Sequence, residues 1–324
     1  MIKNNRVQVT RGVLALLVVL LHALPANDNI YIIVRPFLNC AVAGFVFLSG
    51  YLTKISTERK KVYKRIPTAV IPYILFTIFF TIMANYQSGI KEITTETIKN
   101  IFTTSARGHL YYLATYVQLV LITPLLIRIA KQKNGLLNAI ILLIQPVFLL
   151  CFYIGVTGGW IKNEAPWYMV FFPTWLTYYY MGILVGNKLI ENRIKNNRLL
   201  ILVIVGIMLQ IGEGYFWLQN MTIKSMCSSQ IRITSFIENI PILLLIAKYV
   251  EQPKERASRI LARIGDASFG IYLLHPAFLS VFYKLLPRNE VTFIFAAICS
   301  FGVVWGLNRI FPKKVLKYTG LGMK

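Results

Sequence analysis

The chain has 324 residues, 56% of them hydrophobic and only 15% charged, with a mean hydropathy of +0.60. Length alone suggests two soluble domains, but long apolar runs recur from end to end, which excludes a soluble globular protein, and they are continuous rather than alternating, which argues against a β-barrel. The formal net charge of +23 does not indicate nucleic acid, because the basic residues are spread over short loops between the apolar runs.

The first run, Arg11-Gly-Val-Leu-Ala-Leu-Leu-Val-Val-Leu-Leu-His22, opens on an arginine and is interrupted by a histidine. On an α-helix eleven positions advance about 16 Å and turn about 1,100°, some 20° beyond three full turns. Arg11 and His22 therefore share one helical face at two depths of a membrane. Ionisable groups there are costly and face a protein interior or a water-filled cavity, which makes them functional candidates. A signal peptide would also begin with basic residues and a short apolar stretch. Against it, no A-x-A-like cleavage site follows the turn at Leu24-Pro25-Ala26, and a histidine sits badly in such a core.

The pattern predicts an all-α fold, a polytopic membrane helical bundle of ten transmembrane helices at roughly 9–26, 33–53, 66–87, 109–130, 136–157, 167–188, 198–219, 230–250, 266–286 and 291–311. Each supplies about the 20 residues that cross hydrocarbon. Several contain proline (Pro72, Pro124, Pro146, Pro173, Pro241), which neighbouring helices accommodate in a bundle. With the N-terminus inside, one side collects Lys3, Arg6 and Arg11, the basic residues of 54–65, 128–133, 188–198 and 248–263, and the tail from Arg309 to Lys324. These are most of the 35 basic residues, so both termini are expected in the cytoplasm. The one long outer loop, 88–108, contains a possible surface helix at Lys91–Glu96. Residues 1–324 read as a single transmembrane domain with no appended soluble domain and no internal repeat. Four cysteines (Cys40, Cys151, Cys227, Cys299) are too far apart for paired zinc or redox work, and no metal spacing or nucleotide-binding glycine motif occurs.

Five stretches together resemble the acyltransferase 3 family of integral-membrane O-acyltransferases. Arg11 through His22 is similar to its R-x10-H pattern, and Phe45-Val-Phe-Leu-Ser-Gly-Tyr-Leu52 to its F-F-x-x-S-G-[FY]-L stretch. His109-Leu-Tyr-Tyr-Leu113 resembles H-L-W-F-L, with Tyr111 in place of the usual tryptophan. Tyr180-Met-Gly-Ile-Leu-Val-Gly186 resembles a mid-chain glycine-containing helix, and Ile264-Gly-Asp-Ala-Ser-Phe-Gly-Ile-Tyr-Leu-Leu-His-Pro276 the S-x-x-[IV]-Y-L-x-H helix. The family's R-x-x-R pair before the third helix is missing; Lys60-Lys-Val-Tyr-Lys-Arg-Ile-Pro67 offers Lys61 and Lys64, or Arg65. Lysine keeps the charge there but loses the bidentate fork for phosphate.

The resemblance implies an O-acyltransferase of a bacterial cytoplasmic membrane. Its donor substrate would be acyl-CoA, acetyl-CoA by default with succinyl or longer chains open, and no cofactor would be tightly bound. The acceptor would be a hydroxyl of a surface polysaccharide or its lipid-linked precursor. His22 is then the general base or a transient acyl acceptor, its ordinary pKa of about 6.5 suiting either. Arg11 would bind the donor or stabilise charge on the carbonyl oxygen, unless it is only an interfacial anchor. Ser49, His109 and His275 are further candidates, each with a packing, capping or backbone-bonding role as its rival. Glu213 and Glu238, inside helices, are candidates to orient His22 or balance an arginine. Arg35 and Arg232 would hold an anionic acceptor or snorkel to the interface. A transporter or exporter of a glycan or small polar solute fits a ten-helix bundle equally well, although neither inverted repeats nor short Gly/Pro-broken helices matched between the halves, which would favour it, stand out in the sequence. Nothing in the sequence sets an oligomeric state.

Overall fold

A computed structural model describes residues 5–25, 28–161, 167–219, 227, 229–252 and 258–323. The helices are α1 (Asn5–Ala23), α2 (Asp28–Ile33), α3 (Cys40–Tyr51), α4 (Arg59–Tyr63), α5 (Pro67–Ala84), α6 (Ile90–Thr103), α7 (Tyr111–Lys131) and α8 (Gly135–Thr157). They continue as α9 (Trp167–Val170), α10 (Leu176–Gly186), α11 (Asn196–Gln219), α12 (Ile233–Glu251), α13 (Arg259–Asp266), α14 (Ser268–Phe282), α15 (Glu290–Ile310) and α16 (Lys313–Thr319). No strand occurs among the described residues. Asn134, Ser258 and Asn289 cap α8, α13 and α15 by accepting backbone N–H groups of the first turn.

The chain is a polytopic helical membrane bundle. Among the described residues seven segments are long and apolar enough to cross a bilayer alone, and α13 with α14, bent by 76° at their junction, meet the same criterion only as a pair. The ten expected runs are thus not ten long helices. The run at 33–53 is broken by a turn at Arg35–Phe37, and that at 167–188 by one at Phe172–Trp175. Each turn contains a proline, Pro36 and Pro173, which has no N–H to continue a helical ladder. What remains of them, α3 and α10, is short and buried almost all round, the mark of helices enclosed by others. The two pack with backbones nearly touching: a Cβ on Gly182 would meet the Phe47 carbonyl oxygen. The remaining prolines, with Pro276, sit inside long helices as expected.

Burial separates centre from rim. In the most apolar stretch of α1, 67% of residues are buried, against 22% for α8, α11 and α15. Those outer helices expose Leu143, Ile201, Ile204, Met208, Ile294 and Ile298, a surface suited to lipid. α1 packs against α3, α12, α13, α14 and α15. Its crossing with α13 is close enough that a Cβ at Gly265 would overlap the Gln8 carbonyl oxygen, which accounts for the first of the two glycines in the Ile264–Pro276 stretch. The surface helix expected near Lys91 is α6, docked on α5 by hydrogen bonds from Tyr73 Oη to the Ile101 carbonyl (2.6 Å) and from Asn100 Nδ2 to Thr81 Oγ1 (3.0 Å).

Candidate functional site

Two cavities lie at opposite ends of α1. The one at its start, about 500 Å³, is lined by Arg11, Ser49, Tyr112, Asp266, Lys313 and Lys317 among others. The one at its end, about 360 Å³, is lined by His22, Arg35, Asn39, His109, Tyr111 and Gln230 among others. Val18 of α1, Val42 of α3 and Tyr272 of α14 line both, so the cavities abut across two valines and a phenol ring. The helical period puts Arg11 and His22 on one face, and the apolar packing at Val18 divides them between two chambers.

His22 is exposed although α1 is the most enclosed long helix, because its side chain opens into the second cavity. The other two histidines of the chain converge on it. The His22 and His275 rings are 5.2 Å apart between centroids, and His109 stands 5.5 Å from His275. His275 comes from the middle of α14 and His109 from the turn before α7, and both are buried. Nδ1 of His275 lies 2.8 Å from the Tyr272 carbonyl and 3.2 Å from that of Ile271. Carbonyl oxygens only accept, so the bonding assigns the proton to Nδ1 and leaves Nε2 as the acceptor of the neutral ring. Nε2 of His275 and Nε2 of His109 are buried without a hydrogen-bond partner among the described residues. An unmet buried ring nitrogen is costly, and here both lie in a cluster that borders a cavity. The cluster is tied down at its backbone: Tyr272 Oη donates to the His109 carbonyl, and Tyr283 Oη to that of His22. Arg107, donating to Ser280 Oγ at 3.0 Å, staples the α6–α7 connection to α14.

The first cavity is chemically different. Arg11 is half-buried in its wall, with Asp266, Tyr112 and Tyr116 as its electrostatic neighbours. Ser49 also lines it. Asp266 owes its position to the bend between α13 and α14, which turns the end of α13 toward α1.

Of the remaining sequence candidates, all but Arg35 line neither cavity. Lys61 is exposed beside Glu58 (3.5 Å), Lys64 is exposed, and Arg65 donates to Thr53 Oγ1 at 2.7 Å. Glu213 ties three helices together, accepting from Tyr153 Oη, Trp217 Nε1 (3.0 Å) and the Thr234 backbone (3.2 Å) and hydroxyl. Its carboxylate is thereby engaged away from His22, whose ring neighbour is His275 instead. Glu238 is fully buried on α12 against Gly206 of α11. Arg232 is fully buried too, bonded to the Gln210 side chain (2.9 Å) and the Cys227 carbonyl (3.2 Å), and so does not snorkel. Arg35 does reach the His22 cavity.

Sequence reasoning assigned no site role to Tyr272, Asn308, Lys313 or Lys317. Tyr272 stands in the quoted Ile264–Pro276 stretch and was readable there. The two tail lysines were readable only as topology charges. Among the described residues no group of three or more His, Cys, Asp or Glu side chains is arranged to hold a metal ion.

Compared with known proteins, residues 4–309 match the family model described as an acyltransferase domain. No curated protein and no solved structure matches the chain.

Proposed function

The chain belongs to the acyltransferase domain family and is a multi-pass membrane acyltransferase, and from that premise we propose that it carries an acyl group through the membrane to an external hydroxyl. The donor is a cytoplasmic acyl-CoA, with acetyl the default group, entering the Arg11 cavity. The acceptor is a hydroxyl of a surface polysaccharide or its lipid-linked precursor, entering the His22 cavity. One observation carries this reading: a single helix presents Arg11 in one cavity and His22 in another, and the two abut at Val18, Val42 and Tyr272.

The charge distribution follows that division. The Arg11 cavity is bordered by segments that the positive-inside rule assigns to the cytoplasm, and its guanidinium suits a phosphate-bearing donor. Because Arg11 and His22 stand in different chambers, donor binding is the role supported for Arg11, rather than charge stabilisation at the carbonyl. His22 acts as general base. It takes the proton of the acceptor hydroxyl as that oxygen bonds to the thioester carbonyl carbon. The carbon–sulfur bond then breaks, and the proton passes from His22 to the departing sulfur, leaving an ester and a free thiol. His275, with Nδ1–H held by two carbonyls, packs its ring against the His22 imidazole and so limits where that ring can lie.

The test is the acyl-ester content of the surface glycan in a deletion strain complemented with wild type, His22→Ala or Arg11→Ala, with membrane expression of each checked. Ester restored by wild type alone, with both variants expressed, supports the transferase and its two residues. Normal acylation in the deletion strain removes that acceptor. A glycan that fails to reach the surface at all favours an exporter instead.

A further inference from the structure

The chain does not end at its last long helix. Beyond α15 it turns at Pro312 and forms α16, which packs on α5 with Leu316 buried beneath it. The helix ends at Gly320, whose φ of +80° lies in the left-handed region that glycine tolerates. The amides of Leu321 and Gly322 then bond back to the Leu316 carbonyl at 3.1 and 2.9 Å. One side chain of α15 holds the following backbone from both sides: Asn308 Nδ2 donates to the Leu321 carbonyl (2.7 Å), and Asn308 Oδ1 accepts from the Met323 amide (2.9 Å). The result is a strap, 313–323, folded over the Arg11 cavity, to whose lining it contributes Lys313, Lys317, Gly320, Gly322 and Met323.

The two lysines are four residues apart on α16 and so share a helix face. Both are exposed, and neither makes an ion pair among the described residues. Lys314, exposed on the same helix, does not line the cavity. The cavity therefore has two exposed cations at its rim, Lys317 lying 5.5 Å from the Tyr318 ring centre, the Arg11 guanidinium in its wall, and an apolar end at Val18, Val42 and Phe45. Asp266 is the one acidic residue among those lining it. That gradient, cationic at the strap and apolar toward the second cavity, complements a ligand with phosphates at one end and a narrow uncharged arm at the other.

We propose that Lys313 and Lys317 are phosphate-binding groups of the donor site, so that the C-terminal strap, clamped by Asn308, supplies the charge that the Lys61–Arg65 stretch does not bring to the cavity. The ligand class is a phosphorylated nucleotide carrier, coenzyme A being the member that the reading above requires; the inference rests on that reading. The lysines grip the nucleotide end, and the arm points toward Val18 and Val42.

The experiment measures the dissociation constant of coenzyme A for the full-length protein in neutral detergent, by calorimetry, with thermal unfolding of each ligand-free variant alongside. The double variant Lys313→Gln/Lys317→Gln is expected to bind about tenfold more weakly, the size of two exposed charge pairs. Its unfolding midpoint stays unchanged, Lys313→Arg/Lys317→Arg keeps wild-type affinity, and Lys314→Gln matches wild type. Unaltered affinity in the double glutamine variant overturns the strap site while leaving the donor reading intact. Equal weakening by Lys314→Gln overturns it as well, since a diffuse field and not a site would then be responsible. Wild type that binds no coenzyme A removes the donor reading and the strap site together.

Discussion

The two cavities at the ends of α1 are built on opposite plans. Around Arg11 the charges sit on long flexible side chains: Lys313 and Lys317 are exposed, and the arginine is half-buried. Around His22 three imidazoles gather, two of them buried and one ring fixed by two backbone carbonyls, with Arg35 as the cation in the cavity wall. Mobile cations suit capture, because they adapt to a phosphate wherever it lies and give up little on release. Fixed rings suit proton transfer, which requires a group within hydrogen-bond reach in a set tautomer. Under the proposed function, the difference means that binding and chemistry are separated along one helix, with the Val18–Val42–Tyr272 contact as the partition.

The largest expected effect comes from the chemical side. His22→Ala should lower turnover by about a thousandfold, the usual worth of a general base, with affinity for coenzyme A unchanged. A variant that kept turnover but bound the donor poorly would reverse the assignment of the two chambers. Next, Arg11→Ala should cost about a hundredfold in kcat/KM, with most of the change in donor KM, and Arg11→Lys should recover part of it. Loss confined to kcat would return Arg11 to the reacting carbonyl. Filling the partition is a third probe. Val42→Phe should cut transfer by about tenfold or more, while coenzyme A still binds in calorimetry, because core positions resist an added ring. Full activity in that variant would mean that the reacting groups meet elsewhere. The smallest effect belongs to Lys61→Gln with Lys64→Gln, expected within about twofold of wild type, since both are exposed outside the cavities. A large loss there would move the donor's phosphates from the strap to the loop before α5.

The Arg11–His22 spacing could be read without any coordinates because both residues lie on one helix, whose period is set by local hydrogen bonding. The long spans and the alternation of basic loops were readable for the same kind of reason: hydrocarbon thickness and charge placement act segment by segment. The two broken runs were not. Hydropathy continues through 33–53 and 167–188, whereas Pro36 and Pro173 sit in turns that leave α3 and α10 short, a result that depends on enclosure by their neighbours. Glu213 looked like a candidate to orient His22 because an intramembrane carboxylate needs partners. It finds them in Tyr153, Trp217 and Thr234, away from the histidines.

By itself, then, the sequence determined the class of molecule, the family resemblance and one pair of residues at two depths, all consequences of short-range periodicity and composition. Tertiary structure alone decided that His109 and His275 join His22, and that a valine contact divides the pair between two chambers. It also decided that a tail lysine pair lines the same cavity as the arginine. Each of these is a meeting of residues far apart in the chain, made by helix crossings such as that of Gly265 on Gln8, where the close approach of two backbones dictates which side chains come to share a cavity.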